Sequence, residues 1–550
     1  MPFYGRTADI LSGIEMNESR KPRRKVFAVL AVLLPVVILV IIEVVLRLCG
    51  YGYDPSLFAE DTTHCYYYMS PDASRPYFTV KENATQGTRD FFRKEKQDST
   101  LRIFVLGAST NVGFPYMHNG AFPRMLAYRL QMENPGREVE VVNLSLTAVN
   151  SVTLRDFARQ LVDYQPDAVL IYAGHNEYYG AMGVASTSGA AGEWLNRMTV
   201  GLSRFKLGQW AVDFAARIKG TDERLTDGHR NLMERMVGNA SIPFGSDAYR
   251  RGIDRYRDNM REVLRTLTDA GVPVCYATVS SNLRSLKPFN SAEAEWAEAN
   301  RMLAAGDSVG AALKFAEARD RDGLRFRAPA DINTAVRKLA AEFPGVALVD
   351  VDSLFTVRSP YGIPGEELFL EHVHPNLRGQ ALIADAFYNS LAGCGVIQRR
   401  SEDFDDYPLT AMDEHYGKIQ NWLLRENWPF NEPIPDEPPG YVRSFEESVA
   451  GALAVKQIGW ADAMQMMLEH YMQSGEPSTA LKVAEGIWLD NPYSGPAALQ
   501  AAQVAASAGD VAKTTFYVRR ASALGAPAYL TSGLTDTARQ NHDETDKSAE

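Results

Sequence analysis

The chain has 550 residues, enough for two or three domains that each bury a core of their own. Its formal charge of -11 at pH 7 argues against a nucleic-acid-binding surface, which needs clustered Lys and Arg side chains to pair with phosphates. Its four cysteines are scattered along the chain, which excludes both a dense disulfide framework and a C-x-x-C zinc site.

The first predicted element is an apolar stretch near the N-terminus. Residues 26–48 are interrupted only by Glu43 and Arg47, and they are long enough to cross a bilayer. Five basic residues precede the stretch and no comparable cluster follows it, which predicts a cytoplasmic tail over residues 1–25. A cleaved signal peptide is the alternative. However, the apolar core exceeds the usual h-region and no A-x-A-like site follows, so we predict an uncleaved single-pass anchor.

An irregular lead-in is expected over residues 49–99, where aromatic residues, prolines and charges are mixed. Apolar runs then alternate with helical patterns, which predicts a parallel sheet covered by helices on both faces. The predicted strands are 101–109, 138–145, 166–177, 272–279 and 346–355, and the predicted helices include 122–132, 153–164, 247–271 and 377–391.

The rest of the chain surrounds this α/β domain, which we place at residues 100–400. Two helical insertions are predicted within it, over 184–240 and 291–340. A Pro-rich connector over 401–443 leads to Ala-rich helices over 444–530, and residues 531–550 are expected to be disordered. Gly475 and Gly509 lie 34 residues apart, the period of tetratricopeptide repeats, although plain packed helices are the alternative. Either arrangement favours a docking or packing module rather than a chemical one, with a protein as the candidate partner.

Polar and small residues follow the first three predicted strands. They are Gly107-Ala108-Ser109, the segment 143–148 and the segment 174–177. Because parallel strands end at a common edge, where ligands bind in such sheets, these residues should lie together. The segment 371–375, EHVHP, precedes a predicted helix and should reach the same edge. Each signal alone is weak, since a serine after a strand is more often a helix cap.

Taken in order and spacing, these four blocks resemble those of the SGNH (GDSL-type) hydrolases. The likeness covers residues 100–181 and 340–392 and implies a flavodoxin-like three-layer α/β/α fold. With its N-terminal anchor and C-terminal helices, the chain also resembles a bacterial group of membrane-anchored SGNH proteins with tetratricopeptide-like helices. That likeness implies a bacterial inner-membrane location, with the bulk of the chain periplasmic.

Each of the four blocks departs in part from the usual pattern of the family, which in the first block is Gly-Asp-Ser-Leu. The first block reads Gly-Ala-Ser-Thr, which keeps the nucleophile, and Ala148 stands where the second-block glycine is expected. Glu177 replaces an aspartate found in many members, and Glu371 replaces the usual aspartate three residues before the histidine. A glutamate can still orient an imidazole, but its extra methylene requires a different loop.

The resemblance implies a role for each residue of the four blocks. Ser109 would be the nucleophile and His374 the base that accepts its proton. Glu371 would accept a hydrogen bond from the other ring nitrogen and fix the tautomer. The amides of Ser109 and Ala148, with the side chain of Asn176, would donate to the oxyanion.

Further residues are candidates for the substrate pocket. They are His175, Glu177, Asn150, Tyr178, Arg325 and Arg327. The two arginines would bind an anionic group, although a solvated basic loop is the favoured interpretation. His372 is expected to be a loop histidine satisfied by hydrogen bonds. A zinc site built from His372, His374 and His175 is the alternative, but it would leave the serine and oxyanion residues unexplained. We predict no metal and no cofactor.

The predicted function is hydrolysis of acyl esters through a Ser-His-Glu triad. Substrates would be O-acetyl esters of an envelope glycan, or lipid-like esters. One alternative is an O-acyltransferase that passes the acyl group to an envelope polysaccharide with the same triad. Another is a non-catalytic, membrane-anchored scaffold that binds partners through its helical repeats.

Overall fold

The computed structural model describes residues 21–78, 80–116, 118–187, 193–219, 231–238, 241–433 and 444–549. Most of the predicted cytoplasmic tail, parts of the first insertion and the end of the Pro-rich connector therefore lie outside the described residues. The chain forms two compact units: Met1–Asp54 with Met198–Gly220, and Pro55–Arg197 with Thr221–Glu550.

The core of the larger unit is a five-stranded parallel sheet. Its strands, numbered after the three short strands that precede them, are β4 (Leu101–Gly107), β5 (Val139–Asn143), β6 (Ala168–Tyr172), β7 (Val274–Ala277) and β8 (Val346–Val349). They lie in the order β5-β4-β6-β7-β8. Every residue of β4 and β6 is buried, as expected for central strands covered on both faces. The charged Arg102 in β4 is tolerated because Glu140, its partner in β5, lies 2.6 Å from the Arg102 Nε.

Helices cover both faces of this sheet. Phe122–Glu133 packs with Leu377–Gly393, while Asp247–Asp269 packs with Ser151–Leu161 and Ala330–Glu342. The predicted three-layer α/β/α fold is therefore confirmed. The α-helices are Lys21–Leu48, Ser109–Val112, Phe122–Glu133, Ser151–Leu161, Glu193–Leu202, Lys206–Lys219, Leu232–Met236, Asp247–Asp269, Glu293–Ala304, Ser308–Arg321, Ala330–Glu342, Val351–Arg358, Leu377–Gly393, Ala411–Glu426, Phe445–Ala454, Trp460–Gln473, Pro477–Asp490, Gly495–Ser507, Val511–Ala523, Ala528–Thr531 and Leu534–Ala549.

Two segments before residue 400 differ from expectation. The lead-in is not wholly irregular, because it contains a small antiparallel sheet of β1 (Phe58–Glu60), β2 (Tyr66–Met69) and β3 (Phe92–Arg93). The last predicted strand is shorter than expected. It ends at Val349, because the Asp350 side chain accepts a hydrogen bond from the Ser353 amide and caps a helix.

The C-terminal tail also differs from expectation. Residues 534–549 form a helix rather than a disordered tail. Ala538 in this helix is fully buried, and the Asn541 side chain donates a 2.8 Å hydrogen bond to the Ala506 carbonyl. One buried alanine and one side-chain hydrogen bond therefore attach this mostly polar helix to the helix Gly495–Ser507.

The region after residue 444 is helical, as predicted. Gly475 and Gly509, at φ +74° and +72°, end helices at corresponding turns 34 residues apart. The helices dock on the α/β layers, where the His118 ring stacks on Trp460 at 4.3 Å and the Arg124 guanidinium donates to the Leu489 carbonyl. The tetratricopeptide assignment and a protein partner for these helices stay predictions.

Among the described residues, one helix is long and apolar enough to cross a membrane. It is Phe27–Leu48, and the described side chains along it are almost all exposed to solvent. By length and composition this helix suits either a membrane anchor or a signal sequence.

Candidate active site

The candidate nucleophile lies where β4 ends. The chain turns sharply after Gly107, and the short helix Ser109–Val112 begins at the serine. A side chain at position 107 would not fit, since a Cβ there would lie 2.0 Å from Asn111 Nδ2 and 2.4 Å from the Tyr172 carbonyl oxygen. The turn therefore requires glycine, and it leaves the Ser109 side chain partly exposed at the carboxyl edge of the sheet.

The loop before the helix Leu377–Gly393 brings His374 to this edge. Leu370 donates its amide to the His374 carbonyl at 3.0 Å, which closes the loop, and the Asn376 side chain caps the following helix. His374 Nε2 lies 2.7 Å from Ser109 Oγ. The two residues are separated by 265 positions in the chain, and the fold places them in direct hydrogen-bond contact.

Glu371 organises this loop from its buried centre. Its carboxylate accepts the amides of His372 and His374, each at 2.7 Å, and also contacts His374 Nδ1. An ionised carboxylate accepts hydrogen bonds and cannot donate them, so this contact requires a proton on His374 Nδ1. The lone pair of Nε2 then faces Ser109, as a general base requires.

Burial sets the charge of this imidazole. Desolvation lowers the pKa of His374 to about 3, because the ring is enclosed by protein and a charged imidazolium would lose its hydration. The ring is therefore neutral at physiological pH, which leaves the lone pair of Nε2 free. The adjacent Glu371 carboxylate would stabilise the imidazolium once it forms.

Three potential hydrogen-bond donors surround the cavity beside Ser109. Among the described residues, the amides of Ser109 and Ala148 have no acceptor, and the Asn176 side chain lines the same cavity. Ala148 adopts φ +60°, the left-handed conformation that favours glycine. The alanine therefore keeps the backbone shape of the glycine it replaces, at a cost of about 1–2 kcal/mol.

Ser109 and His374 open onto a cavity of about 240 Å³. Its walls are largely apolar, and it is far larger than the roughly 10–15 Å³ that one water molecule needs. The apolar lining residues are Phe114, Ala148, Leu232, Met233, Met236, Phe326, Val373 and Leu424.

His372 is a buried loop residue whose ring lines this cavity. Its ring lies 5.5 Å from Phe289 and 5.5 Å from Phe430, centroid to centroid, and burial lowers its pKa well below the usual value. The ring also contacts Glu371. The apolar surroundings keep the imidazole neutral.

A metal ion would find one candidate set of ligands in this loop. The ligand atoms of Glu371, His372 and His374 lie within 4.8 Å of one another. His175, the third ligand in the zinc alternative, does not belong to this set. A metal on these residues would compete with the Glu371–His374 contact and with the bond from His374 to Ser109. A metal ion there would therefore replace the contacts that proton transfer from Ser109 requires.

Two of the predicted pocket residues belong to the supporting structure instead. Glu177 is buried and accepts from Ser151 Oγ and from Arg255 Nε, both at 3.0 Å. Asn150 caps the helix Ser151–Leu161 by accepting from the Val152 amide. Neither side chain lines the cavity. Asn150 caps a helix, and Glu177 balances the charge of the buried Arg255.

The neighbouring residues divide between cavity and core. The Tyr178 hydroxyl donates to the Tyr249 carbonyl at 3.0 Å, deep in the core, whereas Tyr179 lines the cavity. His175 accepts the Ala328 amide on Nδ1 at 3.2 Å, and burial lowers its pKa to about 3. His175 therefore supports the loops around the site and does not line the cavity.

Arg325 and Arg327 are buried, with 1% and 3% of their surfaces exposed, so the expected solvated basic loop is wrong. The Arg325 Nε donates to the Ile242 carbonyl at 3.0 Å, and Arg327 donates to the Asn282 carbonyl and pairs with Asp322. Neither guanidinium lines the cavity, because the fold uses them to bind its own carbonyls and carboxylates.

Much of the cavity wall was not anticipated from the sequence. It comes from the first insertion, where the Asn231 side chain caps the helix Leu232–Met236, and from Leu424 beyond the α/β domain. The cap signal, Asn231 three residues before Glu234, was present in the sequence. No local pattern reveals that this helix faces Ser109.

The fold and this site define a class of protein: a three-layer α/β/α hydrolase with a serine after its first core strand and a histidine before its last helix. The model of the GDSL-like Lipase/Acylhydrolase family matches residues 105–382, about half of the chain. The chain belongs to this family and is an ester-hydrolysing enzyme. A comparison with curated proteins found no match.

Several solved structures are similar to this chain at low sequence identity. An acetyl xylan esterase, AlAXEase, is 14% identical, with 53% of this chain and 100% of that chain covered and a TM-score of 0.29. A lipase/acylhydrolase from Enterococcus faecalis is 13% identical, with 55% and 100% covered and a TM-score of 0.28. The esterase EstA from Pseudoalteromonas sp. is 12% identical, with 54% and 98% covered and a TM-score of 0.26.

Proposed function

We propose that the enzyme hydrolyses esters with an apolar acyl chain through a Ser109 acyl-enzyme. The observation that carries this proposal is the 2.7 Å contact between Ser109 Oγ and His374 Nε2 at the mouth of an apolar cavity. His374 takes the hydroxyl proton as Oγ bonds to the ester carbonyl carbon. Glu371 holds the ring and stabilises the imidazolium.

The remaining steps follow from proton balance. The tetrahedral oxyanion receives hydrogen bonds from the amides of Ser109 and Ala148 and from the Asn176 side chain. When it collapses, the alcohol leaves with the proton held by His374. A water molecule then gives a proton to His374 as its oxygen bonds to the acyl carbon. When this second tetrahedral intermediate collapses, the bond from the acyl carbon to Ser109 Oγ breaks, His374 returns its proton to Oγ and the acid leaves.

The cavity supports the choice of acyl group. An acetyl group would leave most of the space beside Met233, Met236 and Leu424 unused. Each methylene buried there contributes about 0.8 kcal/mol. The four extra methylenes of a hexanoyl ester, each half buried, would therefore contribute about 1.6 kcal/mol, or roughly 15-fold in kcat/KM. This favours a lipid-like ester over an acetylated glycan.

The test compares p-nitrophenyl acetate with p-nitrophenyl hexanoate on the full chain in detergent. We expect hexanoate to be the better substrate and Ser109→Ala to remove both activities. Ser280→Ala is a matched control, because the Ser280 hydroxyl is buried, lies after β7 and has no hydrogen-bond partner among the residues that the structure describes. Met236→Trp should fill the cavity and lower hexanoate turnover more than acetate turnover. Equal kcat/KM for the two esters would contradict the proposed acyl group.

The same three residues would serve an O-acyltransferase, in which a glycan hydroxyl replaces water in the second step. Product analysis in the presence of an acceptor polysaccharide distinguishes the two, since a transferase retains the acyl group on the acceptor. A well-folded chain that hydrolyses neither ester would favour the scaffold.

A further inference from the structure

The apolar N-terminal helix carries an acidic residue that has a structural partner far along the chain. The Glu43 carboxylate accepts the backbone amides of Lys206 at 3.1 Å and Leu207 at 2.8 Å. These are the first residues of the helix Lys206–Lys219, whose leading N–H groups have no partners within the helix. Glu43 therefore caps this helix, and its negative charge suits the positive end of the helix dipole.

The residues just after the apolar helix continue the contact. The Tyr51 hydroxyl donates to Asp213 at 2.6 Å. Tyr53 and Gln209 exchange two hydrogen bonds of 3.0 Å, from the Tyr53 amide to Gln209 and from Gln209 to the Tyr53 carbonyl. Residues 43–53 are thus part of a folded unit with the helix Lys206–Lys219. Cleavage of a signal peptide would remove the Glu43 cap, so these contacts favour retention of the apolar helix.

The helix Lys206–Lys219 leaves large apolar side chains exposed. Trp210, Phe214 and Ile218 are four residues apart, on one helical face, and are 44%, 51% and 71% exposed. The rings of Trp210 and Phe214 stack at 5.3 Å. Phe205, just before the helix, is 55% exposed. A contiguous exposed patch of this kind marks a surface that binds an apolar partner.

The position of Glu43 along the apolar helix indicates the depth of this patch in a bilayer. Glu43 lies 16 residues after Phe27, or about 24 Å along the helix at roughly 1.5 Å per residue. The hydrocarbon core of a bilayer is about 30 Å thick. With Phe27 near one boundary, Glu43 approaches the opposite headgroup layer, where tryptophan is enriched and amphipathic helices lie. The exposed Arg204 and Arg217 flank the patch and suit anionic headgroups.

We propose that the helix Lys206–Lys219 is an interfacial lipid-binding element, locked to an uncleaved transmembrane helix through Glu43. The partner is the headgroup region of the bilayer that the helix Phe27–Leu48 crosses, rich in anionic lipid. The exposed patch adjoins the apolar helix, since Phe205 of the patch and Val40 of that helix line one groove. This proposal is independent of the proposed ester chemistry.

The experiment uses the full chain with its four cysteines replaced by alanine, reconstituted in vesicles of phosphatidylcholine and phosphatidylglycerol. One cysteine is returned as Phe214→Cys and labelled with the fluorophore NBD. Val309→Cys is the matched control, because Val309 is 74% exposed on a helix of the other unit. We expect a blue-shifted emission at position 214 and at least threefold stronger quenching by lipid-attached nitroxides than at 309.

Two further measurements make the test decisive. Glu43→Ala should lower the quenching at position 214 at least twofold, and intact mass spectrometry of the membrane-bound chain should find residues 43–53 still present. Equal quenching at positions 214 and 309, or a mature chain that begins after residue 48, would each overturn the proposal. Ester hydrolysis, assayed on the same samples, reports separately on the proposed function.

Discussion

Replacing Glu371 by glutamine removes the negative charge of the loop while keeping its size. The carboxylate accepts two amides at 2.7 Å and the Nδ1 of His374. Glutamine offers one carbonyl oxygen and one NH2 group, so at least one of these donors would face another donor. The ring would then turn or change tautomer and lose its acceptor toward Ser109.

The expected effect is large on the rate and moderate on stability. Loss of the correct tautomer costs a serine hydrolase about 10⁴-fold in kcat, or roughly 5.5 kcal/mol. The unsatisfied buried donor costs about 1–3 kcal/mol of unfolding free energy. Burst kinetics with p-nitrophenyl hexanoate give kcat, and urea unfolding gives the stability. A Glu371→Gln enzyme within tenfold of wild type in kcat would refute the role given to this carboxylate.

Three other results are expected. Ala148→Gly should keep kcat within about twofold, since the backbone amide is retained. The melting temperature should be unchanged or higher, because φ +60° suits glycine. A large loss of kcat would show that the methyl group of Ala148 is needed. The free energy of unfolding should fall as the pH drops from about 6.5 toward 3. In the unfolded chain His175 and His374 take up protons over this range, whereas in the folded chain burial holds both pKa values at about 3. His175→Asn should reduce the slope of unfolding free energy against pH by about 1.4 kcal/mol per pH unit, and an unchanged slope would contradict the burial argument. Incubation with EDTA should leave ester hydrolysis intact, whereas loss of activity restored by zinc would support a metal at Glu371, His372 and His374.

The sheet was predictable from the sequence because its central strands are uninterrupted apolar runs, which few other elements produce. The contact between Ser109 and His374 followed from the block order, since parallel strands end at one edge. Gly107 shows the physical reason for the motif, as no side chain fits at that turn.

The residues that line the cavity and the partners of several charged side chains could not be predicted from the sequence. Leu424 and Met236 reach the site from segments far from the motif, and local patterns do not encode which tertiary surface they face. Arg327 looked like a solvated residue because its partners, among them Asp322, are supplied only by the folded loops. Glu43 looked like an interruption of an apolar stretch because the helix that it caps begins 163 residues later.

The proposed chemistry requires Ser109 to be the nucleophile and His374 to activate it. The most direct measurement is mass spectrometry of the full chain after reaction with a fluorophosphonate probe. We expect one adduct, on the peptide that contains Ser109, with labelling abolished in His374→Ala and retained in Ser280→Ala. An adduct on another residue, or labelling that is unchanged in His374→Ala, would contradict it.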